Sequence, residues 1–88
     1  TAACFVADVD GQPAGYAVVL FRLGSRAARL YSIAIDPAYR GLGAARALLA
    51  GAEAEARARG SRVLRLEVRA SNKAGLSLYD RAGFTFLE

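Results

Sequence analysis

The apolar, β-prone run from Leu30 to Ile35 passes through Asp36-Pro37-Ala38-Tyr39-Arg40-Gly41-Leu42-Gly43 straight into an alanine-rich helical stretch reaching about Arg59. A strand, a glycine turn and a long helix in immediate succession predict a right-handed crossover. The next strand, Val63 to Val68, is then expected parallel to the one before the helix. The helix carries an apolar stripe of Leu42, Ala45, Leu48, Leu49, Ala52 and Ala56, and Gly60 stands where a C′ glycine ends a helix. At its start there is no Ser, Thr, Asp or Asn to satisfy the first N–H groups. Free donors at the positive end of a helix dipole make an anion site that suits a diphosphate. Gly41 and Gly43 remove side chains where a phosphate would approach the backbone. On the glycine pair alone, a tight turn with a weak cap is the commoner explanation.

The segments on either side complete a layered pattern. Cys4 to Val9 is β-prone, Asp10-Gly11-Gln12-Pro13 is a turn signal, and Ala14 to Leu23 reads as a second strand. Gly24-Ser25-Arg26 turns the chain again before Arg29 to Ile35, so three strands fit an antiparallel meander. After Val63–Val68, Ser71 or Asn72 caps a second helix that ends near Arg81, with Gly83 at its stop. Phe84 to Leu87 begins a last strand. The order is β-β-β-α-β-α-β, an α/β chain with a mixed sheet, read as one domain over residues 1–88.

Composition narrows the function. Hydrophobic residues make up 55% of the chain, enough for a packed core. No apolar run approaches the roughly 20 residues that span a bilayer, and no signal-peptide pattern opens the chain, so no membrane partner is expected. Cys4 is the single cysteine and there is no histidine, which excludes a Cys/His nucleophilic pair and argues against a metal site within the chain. A reducing cytoplasm is the expected compartment. The net charge of +4 comes from arginines scattered along the chain, with Lys73 the only lysine. Nucleic acid would call for a clustered stripe with interleaved aromatics, so it is not expected as a partner. A polyanionic ligand would be attracted.

Two motifs together carry a family resemblance. Arg40-Gly41-Leu42-Gly43-Ala44-Ala45 matches Arg/Gln-x-x-Gly-x-Gly/Ala, the acetyl-CoA diphosphate loop of the GNAT N-acetyltransferases. Leu66-Glu67-Val68-Arg69-Ala70-Ser71-Asn72, then Leu78-Tyr79 and Gly83-Phe84, resemble the family's second signature. The spacing is similar in particular to the members that acetylate the N-terminal alanine of a ribosomal protein. The resemblance implies the GNAT fold, in which the third and fourth strands splay and the pantetheine arm of the co-substrate enters the gap. It implies that backbone N–H groups of Leu42, Gly43, Ala44 and Ala45 hold the diphosphate, with Arg40 and Arg46 adding charge-assisted contacts. Main-chain groups of Ile33 and Ile35 would pair with pantetheine, and the Ile35 N–H would face the thioester carbonyl. Asn72 would cap the second helix and also contact pantetheine.

Two side chains stand out for proton transfer. On its strand Glu67 faces away from Leu64, Leu66 and Val68, together with Arg65 and Arg69. From pattern alone it is a carboxylate in a cleft or the partner of Arg65 or Arg69 on an open face. The resemblance implies the first, with Glu67 as general base. Tyr79 lies on the stripe Gly75, Leu78, Tyr79, Ala82, where a tyrosine is ordinarily core. The resemblance implies that it protonates the departing thiolate, and a phenol with a pKa of about 10 suits that task.

The acceptor is expected to be a primary amine. A peptide α-amine, with a pKa of about 7.7–8.0, asks less of a base than lysine does. Polyamines, amino acids, aminoglycosides and lysine side chains remain open. A second class is an acetyl-CoA-binding regulatory or inactive module. Relative to the family, the amino-terminal helices and a carboxy-terminal β segment are expected to be missing, which leaves edges exposed and predicts a homodimer.

Overall fold

Asp10 and Gly11 both adopt positive φ, 50° and 79°, the backbone of a two-residue hairpin turn whose twist matches that of its strands. It joins β1 (Ala2–Val9) to β2 (Gln12–Phe21). The protein's structure, a computed structural model, describes residues 1–85. β3 (Ala27–Ile35) follows, then a short 3-10 turn over Pro37–Tyr39, α1 (Ala44–Ala58), β4 (Val63–Leu66) and α2 (Lys73–Arg81). The sheet order is β1-β2-β3-β4, with β1, β2 and β3 antiparallel and β3 parallel to β4. The meander and the parallel crossover are as expected. Of the expected last strand, Phe84 and Thr85 belong to no element, and Phe86 to Glu88 lie outside the described residues.

α1 covers one face of the sheet. Ala17 and Val19 of β2, Ala28 and Leu30 of β3, and Leu48, Leu49, Ala52 and Ala56 of α1 form the core, joined by Tyr79 of α2. Alanines make up half of the helix and strand positions in this contact, interleaved with Val19, Leu30, Leu48 and Leu49. The stripe is shifted from the expected one at its start. Leu42 precedes the helix and is 61% exposed, and Ala44 is buried in its place. On α2 the packed residues are Gly75, Leu76, Leu78 and Tyr79, while Ala82 is exposed. Both helices end in the same way. Ser61 N–H donates to the Ala56 carbonyl and Gly60 N–H to Arg57, with Gly60 left-handed; Phe84 and Gly83 repeat the pattern on Tyr79 and Asp80. These are Schellman motifs, in which glycine at C′ lets the last carbonyls be satisfied.

The other face of the sheet is uncovered among the described residues. Val6, Tyr16, Leu20 and Tyr31 are exposed there, with Cys4, Arg29 and Arg65 on the same side by strand alternation. No helix among the described residues is long and apolar enough to cross a membrane.

Candidate active site

β3 and β4 separate partway along their length. Their register runs Ala27↔Val63, Ala28↔Leu64, Arg29↔Arg65, Leu30↔Leu66 and then stops. On its other side β3 continues to pair with β2, but the pairing slips, with Leu30 opposite Val19 and Ser32 opposite Val18. Tyr31 is therefore an extra residue, a β-bulge that bends the strand. Beyond the bulge, β3 is paired on the β2 side only, among the described residues. Asp36 N–H donates to the Ala14 carbonyl at 2.8 Å, on the β2 side. Alternation along an antiparallel strand then turns the N–H and C=O of Ile33 and Ile35 the other way, toward the gap. Their side chains meanwhile pack against the core.

The turn after β3 is more built than the sequence disclosed. The Asp36 carboxylate accepts from Ala38 N–H at 2.9 Å and caps the Pro37–Tyr39 turn, with proline at its first position. Gly41 and Gly43 then take φ of 82° and 80°, and Gly43 is the N-cap of α1 with no side-chain cap. The first intrahelical bond runs from Ala47 N–H to the Gly43 carbonyl. Among the described residues, the N–H groups of Leu42, Gly43, Ala44, Ala45 and Arg46 have no partner. A Cβ on Gly41 or Gly43 would meet no protein atom, so the protein itself demands glycine only for the positive φ. Arg40 and Arg46 flank the open donors, both exposed. Five unpaired donors with two guanidinium groups beside them can bind a dianion.

Glu67 follows the last residue of β4, outside the strand, because β4 loses its partner at Leu66. The cleft expected around it is absent among the described residues. β4 is an edge strand there, and the Glu67 side chain is 83% exposed on the uncovered face. Its partner is neither Arg65 nor Arg69 but Arg29 of β3, whose Nη2 donates to Oε1 at 2.6 Å. Arg29 is itself 54% exposed, and its guanidinium carbon lies 6.0 Å from the centre of the Tyr31 ring. An ion pair this exposed contributes at most about 1 kcal/mol; it aims the carboxylate more than it stabilises the fold.

Tyr79 sits on the opposite side of the sheet, 8% exposed in the core under α1. No polar side-chain atom is both buried and unpartnered among the described residues, and the Tyr79 hydroxyl makes no hydrogen bond. Burial pushes its pKa above 10.0, because the phenolate would lose hydration. Asn72 is the N-cap of α2, its Oδ1 accepting from Gly75 N–H at 2.9 Å. A Cβ on Gly75 would come within 2.5 Å of the Asn72 amide, so glycine there lets the cap sit close.

The structure thus brings the glycine turn, the one-sided end of β3 and the end of β4 to one end of the sheet. Glu67 and Tyr79 stay on opposite faces of it. A shallow apolar depression of ≈ 430 Å³ opens beside Ile35, lined by Val6, Pro13, Gly15, Tyr16 and Ala34. Sequence reasoning missed Arg29, the bulge at Tyr31 and the capped turn at Asp36. Only the last had a signal, in Asp36-Pro37.

The model of the Acetyltransferase (GNAT) family matches residues 1–84. The chain belongs to the GNAT family. Among GNAT relatives, it is 43% identical over 75 residues to the ribosomal protein bS18 alanine N-acetyltransferase of Escherichia coli, covering 85% of this chain and 49% of that protein. It is 37% identical over 83 residues to the streptothricin acetyltransferase of Streptomyces lavendulae, covering 93% and 44%. The crystal structure of the ribosomal-protein-S18-alanine N-acetyltransferase from Escherichia coli superposes with a TM-score of 0.89 at 38% identity, over 99% of this chain and 55% of that one. The chain spans about half the length of the curated relatives it matches, and within that half it has the GNAT fold.

Proposed function

We propose that this GNAT chain transfers acetyl from acetyl-CoA to a primary amine by direct attack, with a peptide N-terminal α-amine as the first candidate. One observation carries the reading: among the described residues, five unpartnered N–H groups open the helix next to a strand whose outer backbone is free on one side. The first group fits a diphosphate and the second fits the amides of pantetheine, so one extended molecule can lie along both. Leu42, Gly43, Ala44 and Ala45 hold the diphosphate through backbone, with Arg40 and Arg46 beside it. Ile33 and Ile35 pair with the arm, and the Ile35 N–H donates to the oxygen that becomes an oxyanion. Asn72 caps α2 and turns its amide toward the arm.

Glu67 accepts the proton from the amine, whose nitrogen forms the new bond to the acetyl carbon. Collapse of the tetrahedral intermediate breaks the carbon–sulfur bond, and Tyr79 gives its proton to the thiolate. A base on one face of the sheet and an acid on the other can serve the two proton transfers separately, one from the nitrogen and one to the sulfur. The likeness to an alanine N-acetyltransferase supports the α-amine acceptor.

We further propose self-association through the open edges of β1 and β4, each of which has one unpaired side among the described residues. A reducing cytoplasm suits the exposed thiol of Cys4. Release of free CoA thiol from acetyl-CoA, measured against a panel of amines, tests the activity. Binding of acetyl-CoA without any thiol release would instead make the chain a binding module.

A further inference from the structure

Glu67 stands among cations that the transfer reaction does not use. Arg29 and Arg65 are direct register partners on β3 and β4, both exposed on the uncovered face. Arg69, two residues beyond Glu67, is exposed as well, while Val68 between them packs against the core. The other described carboxylates lie elsewhere. Glu53 and Glu55 pair with Arg57 and Arg59 along α1, and Asp8 and Asp10 are at the β1–β2 hairpin. Asp36 caps the turn after β3, and Asp80 is on α2. Three guanidinium groups against one carboxylate leave a local net charge of +2.

The charges along α1 are arranged differently. The exposed side of α1 places acid and base four residues apart, so its charges cancel locally. Around Glu67 the opposite holds: like charges face each other across β3 and β4, an arrangement that repels. The Arg29–Glu67 bond at 2.6 Å offsets one arginine and leaves Arg65 and Arg69 without a salt bridge among the described residues. Unused cations beside an amine-accepting base have two physical effects. They favour the neutral form of an amine held there, which is the nucleophilic form, and they attract carboxylates carried on the same acceptor while repelling further cations.

We propose that the acceptor is an acidic peptide: its α-amine is followed within the first few positions by aspartate or glutamate, which Arg65 and Arg69 receive. Arg29 is a positioning residue that aims the Glu67 carboxylate. Polyamines and aminoglycosides, which carry several positive charges, are disfavoured. This proposal rests on the reading of Glu67 as the base of an acetyl transfer.

The test uses three synthetic peptides that all begin with alanine and carry acidic, uncharged or basic residues at their second to fourth positions. Thiol release gives kcat/KM, and calorimetry in the presence of CoA gives binding. At low ionic strength the acidic peptide should exceed the uncharged one by about tenfold in kcat/KM, mainly through KM, with the basic peptide lowest. The preference should shrink as salt is raised. In the R65Q/R69Q double variant, shown folded by circular dichroism, it should disappear. Equal or reversed preference in turnover and binding overturns the proposal and leaves acetyl transfer standing. Absence of thiol release on every peptide and amine brings down the transfer reading instead; calorimetry then decides the charge preference, tighter acidic binding supporting it and equal binding overturning it.

Discussion

The backbone N–H of Phe84 donates to the carbonyl of Tyr79 at 2.9 Å, and the two rings meet edge to face, 5.7 Å between centroids and 65° between planes. Phe84 is the C″ residue of the Schellman motif that ends α2, and Tyr79 is its C3, the pair whose side chains this motif brings together. A helix stop thereby places a ring against the proposed acid, and Tyr79 cannot swing out without losing that contact.

Replacing Phe84 with alanine removes a half-buried ring and its aromatic contact. A loss of about 2 kcal/mol is expected, below the cost for a fully buried phenylalanine. Urea unfolding should show a lower midpoint at an unchanged slope. A change within about 0.5 kcal/mol would mean that the ring pair does not hold α2 in place.

Tyr79→Phe separates packing from chemistry. The hydroxyl has no protein partner among the described residues, so stability should stay within about 0.5 kcal/mol of the parent. Turnover should fall by about 10²–10⁴-fold with acetyl-CoA affinity retained, as expected for loss of a general acid. Near-normal turnover would leave Tyr79 a core residue only.

The raised pKa of Tyr79 has a definite sign. The folded protein holds the phenol proton above the pH of about 10 at which the unfolded chain releases it. Its contribution to stability is intact below that pH and is lost as pH rises through the folded value. The proposed acid accordingly stays protonated across the neutral and mildly alkaline range. Ultraviolet titration of the parent against Tyr79→Phe should assign to Tyr79 a phenolate midpoint above 10. A midpoint at or below 10 would contradict burial as the controlling influence.

Gly43→Ala tests the helix opening. The added Cβ meets no protein atom, but φ of 80° is unfavourable to an L-residue by roughly 1–2 kcal/mol. The turn should relax away from its donor geometry and lower acetyl-CoA affinity at least about tenfold, or 1.4 kcal/mol. Arg40→Ala, which leaves the backbone alone, should weaken binding in a salt-dependent way. Unchanged calorimetric affinity in both folded variants would remove the phosphate-loop assignment.

Local order in this protein is written in its sequence, while the distances between elements are not. The strand–turn–helix unit, the uncapped start of α1, the Asn72 cap and the glycine stops at Gly60 and Gly83 were all legible, because each depends on residues within a turn or two of one another. The side-chain period of the strands was legible too, and it correctly separated Glu67 from Leu66 and Val68. Register was not, since a period of two says which face a residue takes but not which residue stands opposite. Only the folded sheet inserts Tyr31 as a bulge, ends β4 at Leu66 and opens the gap beside Ile33 and Ile35. Only there does Glu67 find Arg29, 38 positions away in the chain, in preference to its sequence neighbours Arg65 and Arg69. Ala44 replaces Leu42 in the core for the same kind of reason. The turn at Gly43 sets where the helix begins, and the sheet beneath decides which of its faces is covered.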